Sequence, residues 1–460
     1  MDLEKIYSKL PIPLQQLACN FEGWRTVQKN YGGRFKDFLK EAESRSFWTK
    51  EQIQAFRDQR LRAFIRHCWE TVPFYRRKFK ETKISPEDIK TLNDLAVLPI
   101  LTKEDVQDNF KELVSKAVPE GERVLIKTSG TTGGAIHFYS TKQAIQEQWA
   151  TWWRYRRWHG IQMDTLCAYF TGRPIVPLHQ SSPPFWRYNY PGHKIHFSAY
   201  HMNPNNLPAY IGELRRRRPP WIHGYPSLVS LLASYVLETG ADLGYEVRWV
   251  TIGSENLMPQ QSELIHKAFG VKPIQNYGSE EAVANFSECE YGCLHVDEDF
   301  AAVRFIPSPE GIGYKVIGTN FSNFATPLLN YDVQDNVTLA NNITCQCNRP
   351  GRIIKNIDGR MEDYIILKNG TKLGRLEHAF TNFLNIREAQ IIQKSYGEIM
   401  IRIVKGPMFS EVDEISLKNK MMERLGKDIK ISIDYVEKLE RSQTGKLRFV
   451  VSLIAEGKLI

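Results

Sequence analysis

The sequence predicts a two-domain α/β protein, with a large N-terminal domain of mixed sheets and helices and a small, mobile α+β C-terminal domain. Three observations lead to this fold class. Strand-like and helix-like segments alternate between residues 124 and about 280, which is typical of an α/β domain. A glycine- and hydroxyl-rich loop separates two strand-like segments near residue 130. A second alternation of strands and helices begins after Gly359. We therefore place the domains at 1–358 and 359–460.

Length and composition limit the class of protein. A chain of 460 residues exceeds one ordinary hydrophobic core, and 42% hydrophobic with 25% charged residues indicates a soluble globular protein. The apolar runs are shorter than the roughly 20 residues of a membrane span, and the first 20 residues lack a signal-peptide core, so we expect a cytoplasmic protein. The net charge of +9 is dispersed, which permits anionic ligands such as nucleotides and does not indicate nucleic acid binding.

The first 110 residues are predicted to be mainly helical. Apolar residues recur at three- and four-residue spacing at Leu61, Phe64, Ile65, Cys68 and Trp69. This spacing gives one apolar helix face. The helix should end before Val72-Pro73, because the residue before a proline avoids the helical region. Ser85-Pro86 predicts another helix start, since serine caps helices and proline suits the first turn.

The loop at 128–134 is the first candidate site. It contains four hydroxyl residues and three glycines in seven positions. Apolar segments at 124–126 and 135–139 predict a strand on each side. Backbone N–H and hydroxyl donors in such a loop can surround phosphate oxygens. The same composition also occurs in ordinary turns, so the loop alone leaves both interpretations open.

The middle of the chain combines aromatic and polar stretches. His137, Tyr139 and Trp152 suit either a core or a pocket for an aryl or amino acid. The proline- and polar-rich segment 172–190 is predicted to be a loop.

An arginine run and a strand follow in the second half of the middle region. The run at 215–218 ends a predicted helix at 207–218 and suits either a solvated helix end or phosphate binding. A strand is predicted at 247–252, directly before Ser254 and Glu255.

The seven cysteines predict thiols or a metal site rather than disulfides. Cys19, Cys68 and Cys167 are isolated and suit core positions. Cys289-x3-Cys293-x-His295 and Cys345-x-Cys347 bring soft thiolates and an imidazole together at spacings that suit a tetrahedral Zn²⁺. A set of reduced structural thiols is the alternative.

Several motifs resemble one family. The N-terminal part of the chain resembles the start of the CapK/phenylacetate–CoA ligase family at Arg62, His67, 72–75 and 98–103. That family belongs to the adenylate-forming (acyl-CoA synthetase) superfamily. The resemblance runs from about residue 55 to 450. It implies a large adenylate-forming domain with a zinc-binding insert near 289–347, and a C-terminal lid.

Two further motifs resemble the family's nucleotide contacts. The segment 275–281 resembles its Tyr-Gly-x-x-Glu element, which implies that Asn276, Tyr277 and Gly278 bind ATP. The Tyr277 ring would pack against adenine, and Glu281 would help to hold Mg²⁺. Glu280 replaces a usual serine or threonine. The segment 328–335 resembles its Arg-Tyr-x-x-Gly-Asp element, which implies that Asp335 accepts hydrogen bonds from the ribose hydroxyls. Asn330 and Gln334 replace the usual arginine and glycine.

The remaining functional residues also follow from the resemblance. It implies that the nucleotide-binding set includes Thr128, Ser129, Gly130, Thr131, Thr132, Gly133, Ser254, Glu255 and Arg360. It implies a hinge at Glu362 or Asp363, and Lys446 and Glu281 as catalytic residues. The zinc ligands carried over are Cys289, His295, Cys345 and Cys347, with Cys293 as an alternative to His295. Gly134-Ala135 replaces a common Lys-Pro pair.

The resemblance implies an ATP-dependent, AMP-forming acid–CoA ligase that uses Mg²⁺, a structural Zn²⁺ and coenzyme A. A CapK-like enzyme that passes an acyl or aminoacyl group to a sugar amine or hydroxyl, in surface polysaccharide biosynthesis, is the first alternative. A non-catalytic ATP-binding scaffold is the second. The sequence leaves open the carboxylic acid, the acceptor and the oligomeric state, a homodimer included.

Overall fold

The computed structural model describes residues 6–128, 136–308, 313–340, 343–360, 365–367, 372–373, 376, 380, 383, 385–406, 408–426, 429–441 and 447–454. Its helices are α1 Ile12–Tyr31, α2 Phe35–Arg45, α3 Lys50–Thr71, α4 Pro73–Thr82, α5 Lys103–Asp108, α6 Lys142–Trp158, α7 Leu207–Arg217, α8 Pro226–Thr239, α9 Pro259–Phe269 and α10 Glu411–Leu425. Short 3₁₀ turns lie at Pro86–Asp88, Asn93–Val97, Glu120–Glu122 and Ala199–His201. Among the described residues, no helix is long and apolar enough to cross a membrane.

The strands are β1 Arg123–Lys127, β2 His137–Thr141, β3 Cys167–Thr171, β4 Trp186–Asn189, β5 Lys194–Ser198, β6 Trp221–Gly224, β7 Trp249–Ile252, β8 Pro273–Gly278, β9 Asn285–Glu288, β10 Leu294–Val296, β11 Ala302–Pro307, β12 Tyr314–Thr319, β13 Tyr331–Leu339, β14 Ile353–Arg360, β15 Ile365–Ile366, β16 Lys372–Leu373, β17 Ile386–Ser395, β18 Glu398–Lys405, β19 Lys430–Tyr435 and β20 Val450–Ser452. The predicted mixed α/β fold class is confirmed.

The chain forms two compact units. Unit 1 comprises Met1–Trp24, Asp164–Gln275 and Asp358–Ile460, and unit 2 comprises Arg25–Met163 and Asn276–Ile357. The third segment of unit 1 begins one residue before the predicted domain boundary. The division into a large domain and a lid stays a prediction.

Unit 1 contains the predicted alternation of strands and helices. Strands β8, β7, β6, β3 and β5 pair in that order and run parallel, through residues Pro273–Gln275 in the case of β8. Strand side chains such as Phe170 and Ile222 pack against Leu228 and Leu232 of α8. A parallel sheet needs such apolar cover, and the helices between the strands supply it.

The edge strand β4 corrects one prediction. Residues 186–189 were expected in a loop, but they pair antiparallel with β5. The side chain of Gln16 in α1 accepts from Tyr188 N at 2.9 Å and donates to Tyr188 O at 2.5 Å. Buried Arg187 donates from Nε to Gln15 Oε1 at 3.1 Å. Partners about 170 positions away hold this strand, so its local composition could not reveal it.

Within its described residues, the C-terminal part of unit 1 contains a four-stranded sheet, the two-stranded sheet β15-β16 and helix α10. The strand order is β19-β18-β17-β20. Ile391 and Ile401 from the sheet share a core with Leu417 and Met421 of α10. These strands and α10 match the alternation of strands and helices predicted after Gly359.

Unit 2 contains a sheet in the order β11-β12-β13-β14-β10-β9-β8, in which β8 takes part through Asn276–Gly278. A separate hairpin joins β1 and β2. The apolar face predicted for α3 lies in the core, where Phe64 and Ile65 share a cluster with Phe286 and Val303. Helix α3 ends at Thr71, directly before Val72-Pro73, as predicted.

Candidate functional site

The glycine- and hydroxyl-rich loop is the turn of the β1–β2 hairpin. Lys127 pairs with His137 at its base. Thr128 N donates to Ile136 O at 3.1 Å, and Ile136 N donates to Thr128 Oγ1 at 3.2 Å. Thr128 thereby closes the loop with both its backbone and its hydroxyl. The predicted phosphate-binding residues Ser129, Gly130, Thr131, Thr132 and Gly133 lie outside the described residues.

Tyr277 and Asp335, which sequence reasoning assigned to one nucleotide site, are in contact in unit 2. The Tyr277 hydroxyl donates to Asp335 Oδ2 at 2.7 Å. The Tyr277 ring stacks on Phe286, with centroids 4.5 Å apart and planes at 14°. Both Tyr277 and Asp335 are half-buried. Asn276 anchors the same strand, because its Nδ2 donates to Phe286 O at 3.0 Å.

A buried polar chain supports the turn after Tyr277. A Cβ atom on Gly278 would lie 2.7 Å from Asn285 Oδ1. Asn285 accepts from Trp152 Nε1 at 2.7 Å and donates to Asp297. Asp297 in turn accepts from Arg154 Nη2 at 2.6 Å. The Trp152 indole N–H thus holds the side chain of Asn285, which pairs with Gly278 across β8 and β9, a contact that no sequence signal had indicated.

Buried ion pairs stabilise the end of this hydrogen-bonded chain at Asp297. Arg154 also donates to Asp299 at 2.7 Å, and Arg45 donates to the same carboxylate at 2.7 Å. Burial acts to raise the pKa of Asp299, but the two guanidiniums outweigh it and hold that pKa well below its usual range. For Asp297, burial raises the pKa more than Arg154 lowers it. Both acids are buried with partners, as buried charges require.

The two candidate metal-binding glutamates differ in exposure. Glu280 is exposed and Glu281 is half-buried. The backbone around them is fixed: Gln148 Nε2 donates to Ser279 O at 2.8 Å, and Asn320 Nδ2 donates to Glu281 O at 2.7 Å. The predicted assignment of Mg²⁺ to Glu281 stays a prediction.

Five potential zinc ligands gather in unit 2. One donor atom from each of Cys289, Cys293, His295 and Cys345 lies within 4.8 Å of the others. Cys289 Sγ is 3.5 Å from Cys345 Sγ, and Cys347 Sγ is 3.3 Å from His295 Nε2. Such separations suit a tetrahedral ion with bonds of about 2.0–2.3 Å. Both predicted ligand sets remain open, because Cys293 and Cys347 both belong to the cluster.

The protonation of the cluster follows from burial. Burial raises the pKa of the Cys289 thiol to about 12 and that of Cys345 to about 11. Burial also lowers the pKa of His295 to about 4. The imidazole is therefore neutral at pH 7, as a metal ligand must be, whereas a metal would have to displace the thiol protons. The donor set fits Zn²⁺.

Glu255, a predicted nucleotide-binding residue of unit 1, binds backbone amides with both oxygens. Its Oε2 accepts from Ser227 N at 3.1 Å, and its Oε1 accepts from Leu447 N at 2.8 Å. Neighbouring Ser254 is exposed and has a positive φ of 68°. Their nucleotide contacts stay predictions.

Four of the remaining predicted residues cannot be placed. Glu362, Asp363 and Lys446 lie outside the described residues, and the side chain of Arg360, at the end of β14, does too. The hinge and the catalytic lysine stay predictions.

Comparison with known proteins gives the family. Residues 365–453 match a family model described as the CapK C-terminal domain. The chain is 25% identical over 462 residues to Protein CapK of Staphylococcus aureus, covering 98% of this chain and 100% of the relative. These matches confirm the resemblance to the CapK/phenylacetate–CoA ligase-like family. A phenylacetate-coenzyme A ligase of Thermus thermophilus is 25% identical, with coverage of 88% and 97%.

Solved structures of the adenylate-forming class share the fold. A 2-hydroxyisobutyryl-CoA ligase in the postadenylation state matches with a TM-score of 0.69 at 17% identity, covering 89% of this chain and 91% of that chain. In the thioesterification state that ligase matches with a TM-score of 0.54 at 18% identity and the same coverage.

The two departures from the motif of the CapK/phenylacetate–CoA ligase-like family have structural roles. Gln334 has a φ of 66°, a backbone conformation that favours glycine. The Asp332 carboxylate accepts from Gln334 N at 2.8 Å and supports this conformation. Asn330, with a φ of 59°, is buried, accepts from Arg304 at 2.8 Å and donates to Leu98 O at 3.0 Å. Both replacements therefore adopt positive φ and are held there by hydrogen bonds.

Proposed function

We propose that the protein is an ATP-dependent, carboxylate-activating ligase. An oxygen of the substrate carboxylate attacks the α-phosphorus of ATP, the bond to the β-phosphate oxygen breaks, and pyrophosphate leaves. The product is an acyl-adenylate. The observation that supports this most directly is the hydrogen-bonded pair of Tyr277 and Asp335, because the two family motifs that should hold the nucleoside are in contact.

The nucleoside would be held by shape and by fixed acceptors. Adenine would stack on the face of the Tyr277 ring opposite Phe286, since aromatic rings bind bases through their faces. The carboxylate of Asp335 would accept hydrogen bonds from the ribose hydroxyls. The Tyr277 hydroxyl fixes the orientation of that carboxylate before the nucleotide arrives, so less ordering is needed on binding.

The reaction brings two anions together, so the protein must neutralise charge. Lys446 would offer its ammonium to the incoming carboxylate and to the α-phosphate. Hydroxyl and N–H donors of 128–133 would bind the phosphates that leave. Mg²⁺, when bound at Glu281, would neutralise part of the triphosphate charge.

The acceptor in the second step distinguishes two candidate functions. Relatives named as coenzyme A ligases favour a coenzyme A thiol, which would attack the acyl carbon and release AMP. The CapK resemblance of the motifs implies a sugar amine or hydroxyl as the alternative acceptor, and the chain matches Protein CapK from end to end. AMP release that depends on coenzyme A would support the first candidate.

The cysteine cluster would hold a structural Zn²⁺. Its potential donors come from the β9–β10 turn, from β10 and from the segment before β14, and one ion bound to four of them would link these segments. We propose no part for this ion in the reaction, because the residues proposed to bind the nucleotide are not its ligands.

ATP–pyrophosphate exchange with a pool of carboxylic acids tests the proposal. The wild type should exchange with at least one acid. Tyr277→Phe should raise the KM for ATP about 3- to 10-fold, because it loses one hydrogen bond, and Tyr277→Ala should raise it further, because stacking is lost. Tyr396→Phe, which changes an exposed tyrosine, is the matched control. A folded wild type that exchanges with no acid would favour the scaffold alternative.

A further inference from the structure

Helix α1 packs against unit 1 through a polar face. The side-chain amides of Gln15, Gln16 and Asn20 hydrogen-bond to strand β4 and to the residue after it. Gly23 lies on the same face, because a Cβ atom there would come 2.1 Å from Asn189 Oδ1. Helices on the surface of globular proteins usually pack through their apolar residues. In α1 the large apolar residues lie on the other side of the helix instead.

These apolar residues form one exposed stripe, the α1 stripe, which consists of Leu14, Leu17, Phe21 and Trp24. They are spaced by three, four and three residues, which brings them onto one face of a helix. Their exposed fractions are 47%, 65%, 62% and 52%. The rings of Phe21 and Trp24 stack, with centroids 6.2 Å apart and planes at 28°. Single exposed apolar residues are common on proteins, but a contiguous patch marks a binding surface.

The charges next to the α1 stripe are mainly basic. Lys9, three residues before α1, is exposed, and so is Arg25, which directly follows Trp24 in the chain. Glu22 is the only acid between residues 6 and 24. Arg173 Nη2 lies 3.8 Å from Glu22 Oε1 and offsets its charge. Basic residues beside an apolar helix face attract anionic lipid headgroups, so the α1 stripe suits an anionic surface.

The size of the α1 stripe disfavours a second copy of the chain as its occupant. At roughly 150–250 Å² for each large side chain, the four exposed fractions amount to about 350–550 Å² of surface. A stable protein–protein interface buries about 800 Å² on each partner. A twofold contact would also bring the basic surroundings of the stripe against themselves. A lipid surface carries neither requirement, since it adapts to the side chains that enter it.

We propose, independently of the ligase activity, that α1 docks the protein on an anionic membrane surface by inserting the α1 stripe. Helices of this kind lie in the plane of the interface, with the apolar face about 5–10 Å deep. The polar face stays bound to β4, so docking requires no change in the fold of unit 1. Trp24 suits the boundary between headgroups and acyl chains, because its ring has an apolar body and a polar N–H. Lys9 adds attraction to the anionic headgroups.

Sedimentation with lipid vesicles tests the docking. The vesicles contain phosphatidylcholine alone, or equal parts of phosphatidylcholine and the anionic lipid phosphatidylglycerol. The wild type should bind the mixed vesicles at least about 5-fold more tightly, since each basic residue near the surface strengthens binding by about that factor. Phe21→Ser should lower binding to the mixed vesicles about 10-fold, because one large apolar side chain no longer inserts. Lys9→Gln should lower it about 5-fold, and equal binding of the wild type to both kinds of vesicle would contradict the anionic preference.

Val412→Ser is the matched control. Val412 is 74% exposed on α10, another helix of unit 1, and does not belong to the α1 stripe. Its replacement should leave binding to the mixed vesicles unchanged. All three substitutions replace exposed side chains, so the melting temperatures should stay at the wild-type value. An equal loss of binding in Val412→Ser and Phe21→Ser would show non-specific adhesion and would overturn the proposal.

Tryptophan fluorescence locates the contact on α1. The chain has ten tryptophans, and brominated lipids in the mixed vesicles should quench the part of the emission that comes from Trp24. Trp24→Phe keeps an aromatic ring for insertion, so it should still bind these vesicles but lose the quenching. Quenching that persists in Trp24→Phe, or a folded wild type that binds no vesicles, would refute docking through α1. A wild type that instead dimerises in solution, and fails to do so as Phe21→Ser, would overturn the proposal and assign the stripe to a second copy.

Discussion

Gly278→Ala tests whether the buried chain beneath Tyr277 holds the nucleotide motif. The new Cβ would lie 2.7 Å from Asn285 Oδ1 and 3.1 Å from Trp152 Nε1. Asn285 is 1% exposed and is hydrogen-bonded to Trp152 and Asp297, so it cannot swing aside without breaking both contacts. Two lost hydrogen bonds cost about 1–3 kcal/mol, and overpacking adds about 1–3 kcal/mol.

We therefore expect a loss of about 2–6 kcal/mol in the stability of unit 2. For a cooperative unit of roughly 150–250 residues, this lowers the melting temperature by about 4–24 °C. Thermal unfolding followed by circular dichroism measures the shift, and exchange kinetics should show a raised KM for ATP because Tyr277 moves.

The matched control is Gly212→Ala. No atom lies within 4 Å of a Cβ at Gly212 in α7, so alanine should stabilise that helix by about 0.5–1 kcal/mol. A lower melting temperature for Gly278→Ala and a higher one for Gly212→Ala would show that the loss of stability comes from the contact with Asn285. A melting temperature and a KM for ATP at wild-type values in Gly278→Ala would refute the reasoning.

Three further predictions concern the other candidate sites. Replacing both Thr131 and Thr132 with alanine should raise the KM for ATP and leave the melting temperature unchanged; unaltered ATP kinetics would reject the phosphate role. Purified protein should contain about one Zn²⁺ per chain by metal analysis, and Cys345→Ser should lower both zinc content and melting temperature; metal-free protein prepared without chelators would contradict this. Lys446→Ala should abolish exchange but spare acyl transfer from synthetic acyl-adenylate, and equal loss in both assays would indicate a structural role instead.

Regular patterns made much of the fold predictable. The apolar stripe that includes Phe64 and Ile65 identified a core helix, and the strand–helix alternation identified the α/β class. The pattern failed at 186–189, where side chains of α1 hold the strand. The spacing of apolar residues predicts the secondary structure of a segment, but it carries no information about a partner far away in the sequence.

The same limit applies to the candidate site, where local motifs could be predicted and long-range contacts could not. Tyr277 and Asp335 could be found because their short motifs are recognisable along the chain. Trp152 and Asn285 belong to no recognisable motif. Only the folded chain shows the hydrogen bond between them, which joins α6 to β9. Glu255 was predicted from the resemblance, but its contacts with the backbone amides of Ser227 and Leu447 join distant segments, and only the folded chain shows them.

The attachment of α1 to β4 has a consequence for how the protein avoids self-association. An edge strand exposes unpaired N–H and C=O groups that can recruit a strand from another molecule. Here the amide of Gln16 satisfies both polar groups of Tyr188, and Asn20 Oδ1 accepts from Tyr190 N at 2.9 Å. Side-chain amides thus take the place of a neighbouring strand. Removing α1 would leave the backbone N–H and C=O groups of this edge strand unpaired, so a shortened chain should aggregate even if its core still folds.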